Sequence, residues 1–409
     1  LIINNKNYDE FLFIEKYCNS KEIIFRQYLL DKFLNSYFNQ DILNYFGKNY
    51  PKEFIGGYPK EWLDYLSSKK IKVSYLKSLL IWKIKIILNI IISFRDYVII
   101  LKNTFLKRFN NEKFKRKIIY FNSISNELIN SSLDGFTCIN RIESILSKNK
   151  TNKYDIIVET NNSLKNLKKL KSKNIYSEKP LSSLKNYKKL FELTIWYIRA
   201  LFICSIDLIF SRGIRAFLII ESLKTKVHNI NFVRKKLDYA IFNCSTWIYK
   251  PLWTYSAEKK GTKVIFYFYS INSYQLSINP NDKFENIVNY GWESNSWNNY
   301  FVWNEFQEKF INYLPNKSTI KITGPILHEN ELKGDLPSKL LNYPKKISLF
   351  DITIFRDFLY RTEGMKTSYE KPEIAIKFIK DVLYLCKKKD IHILYKGKRN
   401  FSKKVHPKY

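Results

Sequence analysis

Glycine and proline are scarce in this sequence, with 11 of each among 409 residues, and methionine occurs once. So few chain breakers exclude collagen-like and low-complexity chains and leave long, uninterrupted elements as the expectation. Cysteine is also rare. Cys18, Cys138, Cys204, Cys244 and Cys386 are widely spaced, odd in number and form no Cys-x-x-Cys pair. That argues against a disulfide framework or a structural zinc site and fits a reducing compartment. Four isolated histidines speak against a His-rich metal centre. Neither Gly-x-x-x-x-Gly-Lys-Ser/Thr nor Gly-x-Gly-x-x-Gly occurs, which disfavours a P-loop nucleotidase or a nicotinamide enzyme. No Asp-x-Asp closes a strand, so the simplest sign of a metal-dependent sugar transferase is missing. In the stretch 71–105 the longest clean apolar run falls short of the roughly 20 residues of a bilayer span, and no secretory signal is visible.

What is abundant is positive charge and aromatic surface. Lys and Arg number 70 against 37 Asp and Glu, a net charge of +33, and 17% of residues are aromatic. The charge has two readings. One is a polyanionic partner: nucleic acid, an anionic membrane or nucleotide substrates. The other is compositional drift, since Lys, Asn, Ile, Tyr and Phe dominate throughout, as AT-rich codons dictate. A nucleic-acid binder would gather its cations on one face or along one helix. Here the lysines are dispersed and no recognition motif accompanies them.

In chain order, residues 1–70 look helical and aromatic, with a break at Gly56-Gly57-Tyr58-Pro59. In 71–105, Val73, Leu76, Leu80, Ile84, Ile87, Ile91, Phe94 and Val98 recur at helical spacing. Lys72, Lys77, Lys83, Lys85, Arg95 and Lys102 interrupt the apolar surface. Such a helix either lies on a membrane surface or serves as a long core helix. A second apolar stretch, 193–220, has the same two readings. From Lys117 the rhythm changes. Strands are expected over 117–121, 154–159, 237–243, 262–268, 300–303 and 319–323, with a polar loop over 160–180 and a helix over 248–260 that stops at Gly261. Strands alternating with helices define an α/β fold, doubly wound. The stretch 328–344 reads as a linker.

The segment after it organises the functional reading. Residues 347–354 form an apolar, β-branched run suited to a strand buried on both faces. Pro372 opens a helix that closes in Lys387-Lys388-Lys389, and 391–395 is a further strand running into Lys396-Gly397-Lys398-Arg399. In such a β-α-β unit, ligands sit at the carboxyl ends of the strands. Lys396, Lys398 and Arg399, with His406 downstream, are therefore candidate phosphate ligands. A sugar transfer also needs a base for the acceptor hydroxyl, and Asp134 and Glu329 are the catalytic candidates. Asp351 and Arg356, close to the first strand of this unit, and the aromatic run from Tyr267 to Trp303, with Tyr269 and Asn272, are candidate cleft-lining positions.

Several short segments carry a resemblance. Gly261-Thr-Lys-Val-Ile-Phe-Tyr-Phe-Tyr-Ser-Ile-Asn272, Val302-Trp-Asn-Glu305, Gly324-Pro-Ile326, Leu349-Phe-Asp-Ile352 and Lys396-Gly-Lys-Arg399 look like the bacterial polysaccharide biosynthesis proteins named for a Pro-Phe-Thr-Ser motif. That motif itself is absent and is expected downstream of Arg399, so the chain reads as a fragment. His406-Pro407 is similar to the His-Pro pair that binds nucleotide phosphate in some bacterial sialyltransferases. The resemblance implies two Rossmann-like domains in a GT-B arrangement: a helical region 1–110, an acceptor domain 111–330 and the start of a donor domain 345–409. It implies a glycosyltransferase of capsule or lipopolysaccharide synthesis that moves a sugar from a nucleotide-sugar donor to a glycan or lipid-linked acceptor. No metal and no cofactor are expected. The site would be cytoplasmic, with peripheral contact to an anionic membrane and no nucleic-acid partner. The alternatives are a non-catalytic assembly protein of the same fold and a basic nucleic-acid-binding protein.

Overall fold

The computed structural model describes residues 53–106, 116–122, 135–146, 154–159, 175–178, 184, 186–211, 215–232, 237–243, 250–268, 297–314, 317–326, 345–350 and 372–396. They fall into two compact units, one within Ile55–Glu331 and one made of Glu53 and Phe54 with the described residues of Leu332–Tyr409.

The first unit opens with α1 (Lys60–Ser68) and α2 (Tyr75–Leu106). Then follow β1 (Ile118–Asn122), α3 (Gly135–Leu146), β2 (Asp155–Glu159) and β3 (Ile175–Glu178). Two long helices, α4 (Tyr187–Phe210) and α5 (Arg215–Asn231), return the chain to β4 (Tyr239–Asn243). The unit finishes with α6 (Leu252–Lys259), β5 (Lys263–Tyr267), β6 (Asn299–Val302), α7 (Glu305–Asn312) and β7 (Thr319–Ile322).

All seven strands are parallel, in the order β3-β2-β1-β4-β5-β6-β7. Strand residues alternate between two cores. Ile118, Tyr120, Ala240, Phe242, Val264, Phe266, Tyr300 and Val302 pack on one face with Phe232, Trp253 and Phe310. Ile119, Phe121, Ile156, Val158, Ile241, Ile265 and Phe301 pack on the other with Ile142 from α3. A sheet covered on both faces explains why these strands read as apolar runs rather than as alternating ones. The fold is a doubly wound α/β architecture, as the alternation of elements predicts.

Local chemistry sets the boundaries. Helix α6 ends in a Schellman arrangement: Gly261 N–H donates to Glu258 O at 2.8 Å and Thr262 N–H to Ala257 O at 3.0 Å. Gly261 takes φ +90°, which only glycine adopts without strain. Gly324 has φ +73°, and a Cβ there would stand 3.2 Å from the Arg141 guanidinium, which donates to Thr323 O at 3.0 Å. The Gly-Pro pair after β7 therefore keeps the strand end open to α3. In the Val-Trp-Asn-Glu segment, Trp303 donates its indole N–H to Phe268 O at 2.6 Å, and Asn304 caps α7 by accepting from Gln307 N–H at 3.1 Å. Three family-like segments thus do local structural work.

Three expectations need correction. The stretch 160–180 is not all loop, because β3 lies within it at the sheet edge. The stretch 193–220 is two helices, since α4 stops at Ser211, whose φ of 52° is left-handed. And α2 turns its predicted stripe outward. Trp82 and Ile86 are buried together with Ser78, Ser93, Asp96 and Thr104, whereas Leu76, Leu80, Ile91 and Phe94 are exposed.

The second unit contains β8 (Lys346–Phe350), α8 (Pro372–Lys388) and β9 (His392–Lys396). The strands pair in parallel, with Phe350 opposite Lys396, so this is the expected β-α-β unit. The expectation that its first strand is buried on both faces fails for the described residues. Ile347 is 37% exposed, so its face of β8 is open.

Candidate functional site

In an open parallel sheet, ligands bind beyond the carboxyl ends of the strands, where the strand order reverses. Here the reversal falls between β1 and β4, whose last residues are Asn122 and Asn243. Asn122 stands in register with Glu159, the last residue of β2.

Glu159 is the centre of a buried polar group beside that point. Its Oε2 lies 2.8 Å from His228 Nε2 on α5 and accepts a second hydrogen bond from the Tyr120 hydroxyl on β1. His228 Nδ1 lies 2.8 Å from Lys224 O. A carbonyl and a carboxylate both accept, so the ring donates from both nitrogens and is an imidazolium. The energetics agree. Burial would push the Glu159 carboxyl up, but the hydrogen bond and charge of His228 and the Tyr120 hydroxyl hold it below its ordinary range. Burial would push His228 down, and Glu159 and the Lys224 carbonyl outweigh it, so its pKa is raised. The imidazolium ring stacks on Trp253, with centroids 5.2 Å apart and planes at 15°. The group fixes α5 to β1 and β2 and places a neutralised carboxylate–imidazolium pair beside the sheet's carboxyl rim. A carboxylate with a lowered pKa is a weak base, so the arrangement suits positioning better than proton abstraction.

Sequence reasoning missed this group. Glu159 looks like the polar end of an apolar strand, and His228 stands alone in its helix, 69 residues away. The buried pair Lys250–Glu258, at 2.6 Å, was equally hidden. Burial raises the Glu258 carboxyl despite Lys250 and Asn298, which act to lower it.

Of the predicted site residues, Lys396 is the last residue of β9, at its carboxyl end. Asp351 follows β8 directly in sequence, and Asp134 precedes α3 in the connection that leaves the carboxyl end of β1. Asp134, Glu329, Asp351, Arg356, Tyr269, Asn272, Lys398, Arg399 and His406 lie outside the described residues. Within the aromatic run, Tyr267, Trp297 and Tyr300 are core residues, 0–2% exposed, and do not offer faces to a sugar. Among the described residues no group of three or more His, Cys, Asp or Glu could hold a metal ion.

Sheet order, connections and the rim at the switch point define a Rossmann-type α/β protein. The family model for polysaccharide biosynthesis PFTS motif proteins matches residues 196–409, which is more than half of the chain. The chain belongs to that family, whose name ties it to polysaccharide biosynthesis. Neither the curated proteins nor the solved structures contain a match to it.

Proposed function

We propose that this protein is a glycosyltransferase of GT-B type that builds a bacterial capsule or lipopolysaccharide from a nucleotide-sugar donor without a metal. Family membership supports the pathway. The observation that carries the activity is the β8-α8-β9 unit, whose second strand ends at Lys396 and continues in sequence as Gly397-Lys398-Arg399. A donor diphosphate leaving as an anion must be neutralised, and cations at a strand's carboxyl end meet that need without a metal. In this reading Lys396, Lys398, Arg399 and His406 take the phosphates. Asp351 and Arg356, near the carboxyl end of β8, flank them. The acceptor binds the first unit, where Asp134 or Glu329 removes the hydroxyl proton, and Tyr269 and Asn272 line its cleft.

The test is calorimetric titration of the chain with CMP-, UDP- and GDP-sugars after a thermal-shift screen. One donor class should bind, and Lys396→Ala with Arg399→Ala should weaken it by about tenfold or more. Unchanged affinity in that variant refutes the site. Donor binding without turnover in the presence of acceptor glycans assigns the chain instead to a non-catalytic role in assembly.

A further inference from the structure

Helices α2 and α4 lie antiparallel and packed together. Ser93 Oγ and Tyr197 OH share a hydrogen bond at 2.9 Å, Tyr97 OH and Thr194 Oγ1 another at 2.8 Å, and the Tyr97 and Tyr197 rings stack at 4.4 Å. Both helices pack on α5. Their contacts with one another and with α5 therefore use one side of each, and the other side faces outward. On α2 that outward side carries Leu76, Leu80, Ile84, Ile87, Ile91 and Phe94, of which Leu76 is 84% exposed. On α4 it carries Phe191, Ile195, Ile198, Phe202, Ile209 and Phe210. Phe105 and Tyr187, both exposed, meet at 6.1 Å and join the two stripes into one surface. The inner side is apolar too: Trp82, Ile86, Ile100 and Leu193 are fully buried there, beside Ser93 and Asp207. A helix pair whose outward side met only water would keep that side polar.

The charges on this surface have one sign. Lys77, Arg95, Lys102, Lys188 and Arg199 are exposed. The three carboxylates of the two helices are all engaged. Asp96 is buried against Arg95 at 2.7 Å, Asp207 accepts from Ala216 N–H at 3.3 Å, and Glu192 pairs with Lys226 at 3.2 Å. An apolar face edged by cations and without a free carboxylate complements an anionic lipid surface.

Helix α4 is long and apolar enough to cross a bilayer, at 24 residues, about 36 Å. Its inner side forbids that orientation. Lys189 Nζ donates to Ile230 O at 3.0 Å, Glu192 holds Lys226, and Asp207 holds the first turn of α5, so α4 is fastened to α5 along its whole length. Helix α5 is in turn fixed to the sheet by His228 and Glu159. We propose that α2 and α4 together form a monotopic docking face that lies in the plane of an anionic membrane, with the sheet unit held in the water beside it. This goes beyond the glycosyltransferase reading and does not depend on it.

Flotation of the full chain with phosphatidylglycerol-containing vesicles, against pure phosphatidylcholine vesicles, tests the proposal. Binding to the anionic vesicles should exceed binding to the neutral ones by about tenfold and should weaken in about 0.5 M NaCl. Ile91→Asp with Phe202→Asp, both at exposed positions, should keep the wild-type circular dichroism and lose about tenfold or more in binding. Lys77→Glu with Arg199→Glu should remove the preference for anionic lipid. Extraction at alkaline pH should release the bound protein. Absence of flotation, or equal flotation of the Asp variant, overturns the proposal. Retention after alkaline extraction overturns the in-plane orientation in favour of a span. A stable dimer that the Asp variant dissociates, with no flotation, gives the face to a second copy and also overturns it.

Discussion

In the sheet of the first unit, Ile119, Phe121, Ile241 and Phe266 are buried, and both faces of the sheet are covered. In the α2–α4 pair, Trp82, Ile86, Ile100, Leu190 and Leu193 are buried, yet leucine, isoleucine and phenylalanine also face out. The same chain thus covers its apolar surface in one region and leaves much of it facing outward in the other. The sheet gains its stability from removing apolar area from water. The outward side of the helix pair leaves apolar area exposed, and its inner contacts add hydrogen bonds, ring stacking and ion pairs to the burial of Trp82, Ile86, Ile100 and Leu193. The difference teaches that the two regions should respond differently to the same kind of substitution.

Equilibrium urea unfolding can sharpen that comparison. Phe266→Ala, in the centre of the sheet, should cost about 3–5 kcal/mol, the loss expected for emptying a large aromatic site. His228→Ala should approach this, at about 3 kcal/mol, because it leaves the Glu159 charge buried beside the sheet without its counter-ion. Asn304→Ala, which removes the cap of α7, should cost about 1 kcal/mol. Phe202→Ser, on the outward face of α4, should change stability by less than about 0.5 kcal/mol. A loss at Phe202 as large as that at Phe266 would erase the contrast between the two regions.

The Glu159–His228 pair adds a pH signature. His228 has a raised pKa when folded, so its contribution is complete below its unfolded value near 6.5 and is lost as pH rises through the higher folded value. Glu159 has a lowered pKa, so its contribution is complete above its unfolded value near 4.5 and is lost as pH falls through the lower folded value. Both act together between about 4.5 and 6.5. The melting temperature of the wild type should therefore decline on the alkaline side as His228 loses its proton, and Glu159→Gln should flatten that decline. Parallel profiles for the two proteins would show that the pair does not carry charge.

Much of the sheet was legible because strands buried on both faces are apolar runs, and the runs at 117–121, 154–159, 237–243 and 262–268 coincide with β1, β2, β4 and β5. Strand β3 was not, since Ile175-Tyr-Ser-Glu178 is four residues at an edge, set in a Lys- and Asn-rich stretch. The stripe of α2 was legible as a stripe, but periodicity says nothing about which side faces protein. That is decided by Ser93, Tyr97 and Thr104 finding partners near α4 and ahead of it. Of the basic tip after β9 only Lys396 could be placed, because it ends a regular element, and Lys398 and Arg399 lie outside the described residues. The Glu159–His228–Tyr120 group could not, because it forms only when three elements distant in sequence come together.

The contrast between the two regions meets its most direct test in lipid labelling. Wild-type protein on anionic vesicles would be irradiated with a phospholipid that carries a carbene precursor in its acyl chain, and the labelled peptides mapped by mass spectrometry. The account predicts label on the outward residues of both Tyr75–Leu106 and Tyr187–Phe210, at similar yield along each helix. Label confined to one helix, graded from end to end of α4, or spread over α6 and α7 on the sheet would contradict it.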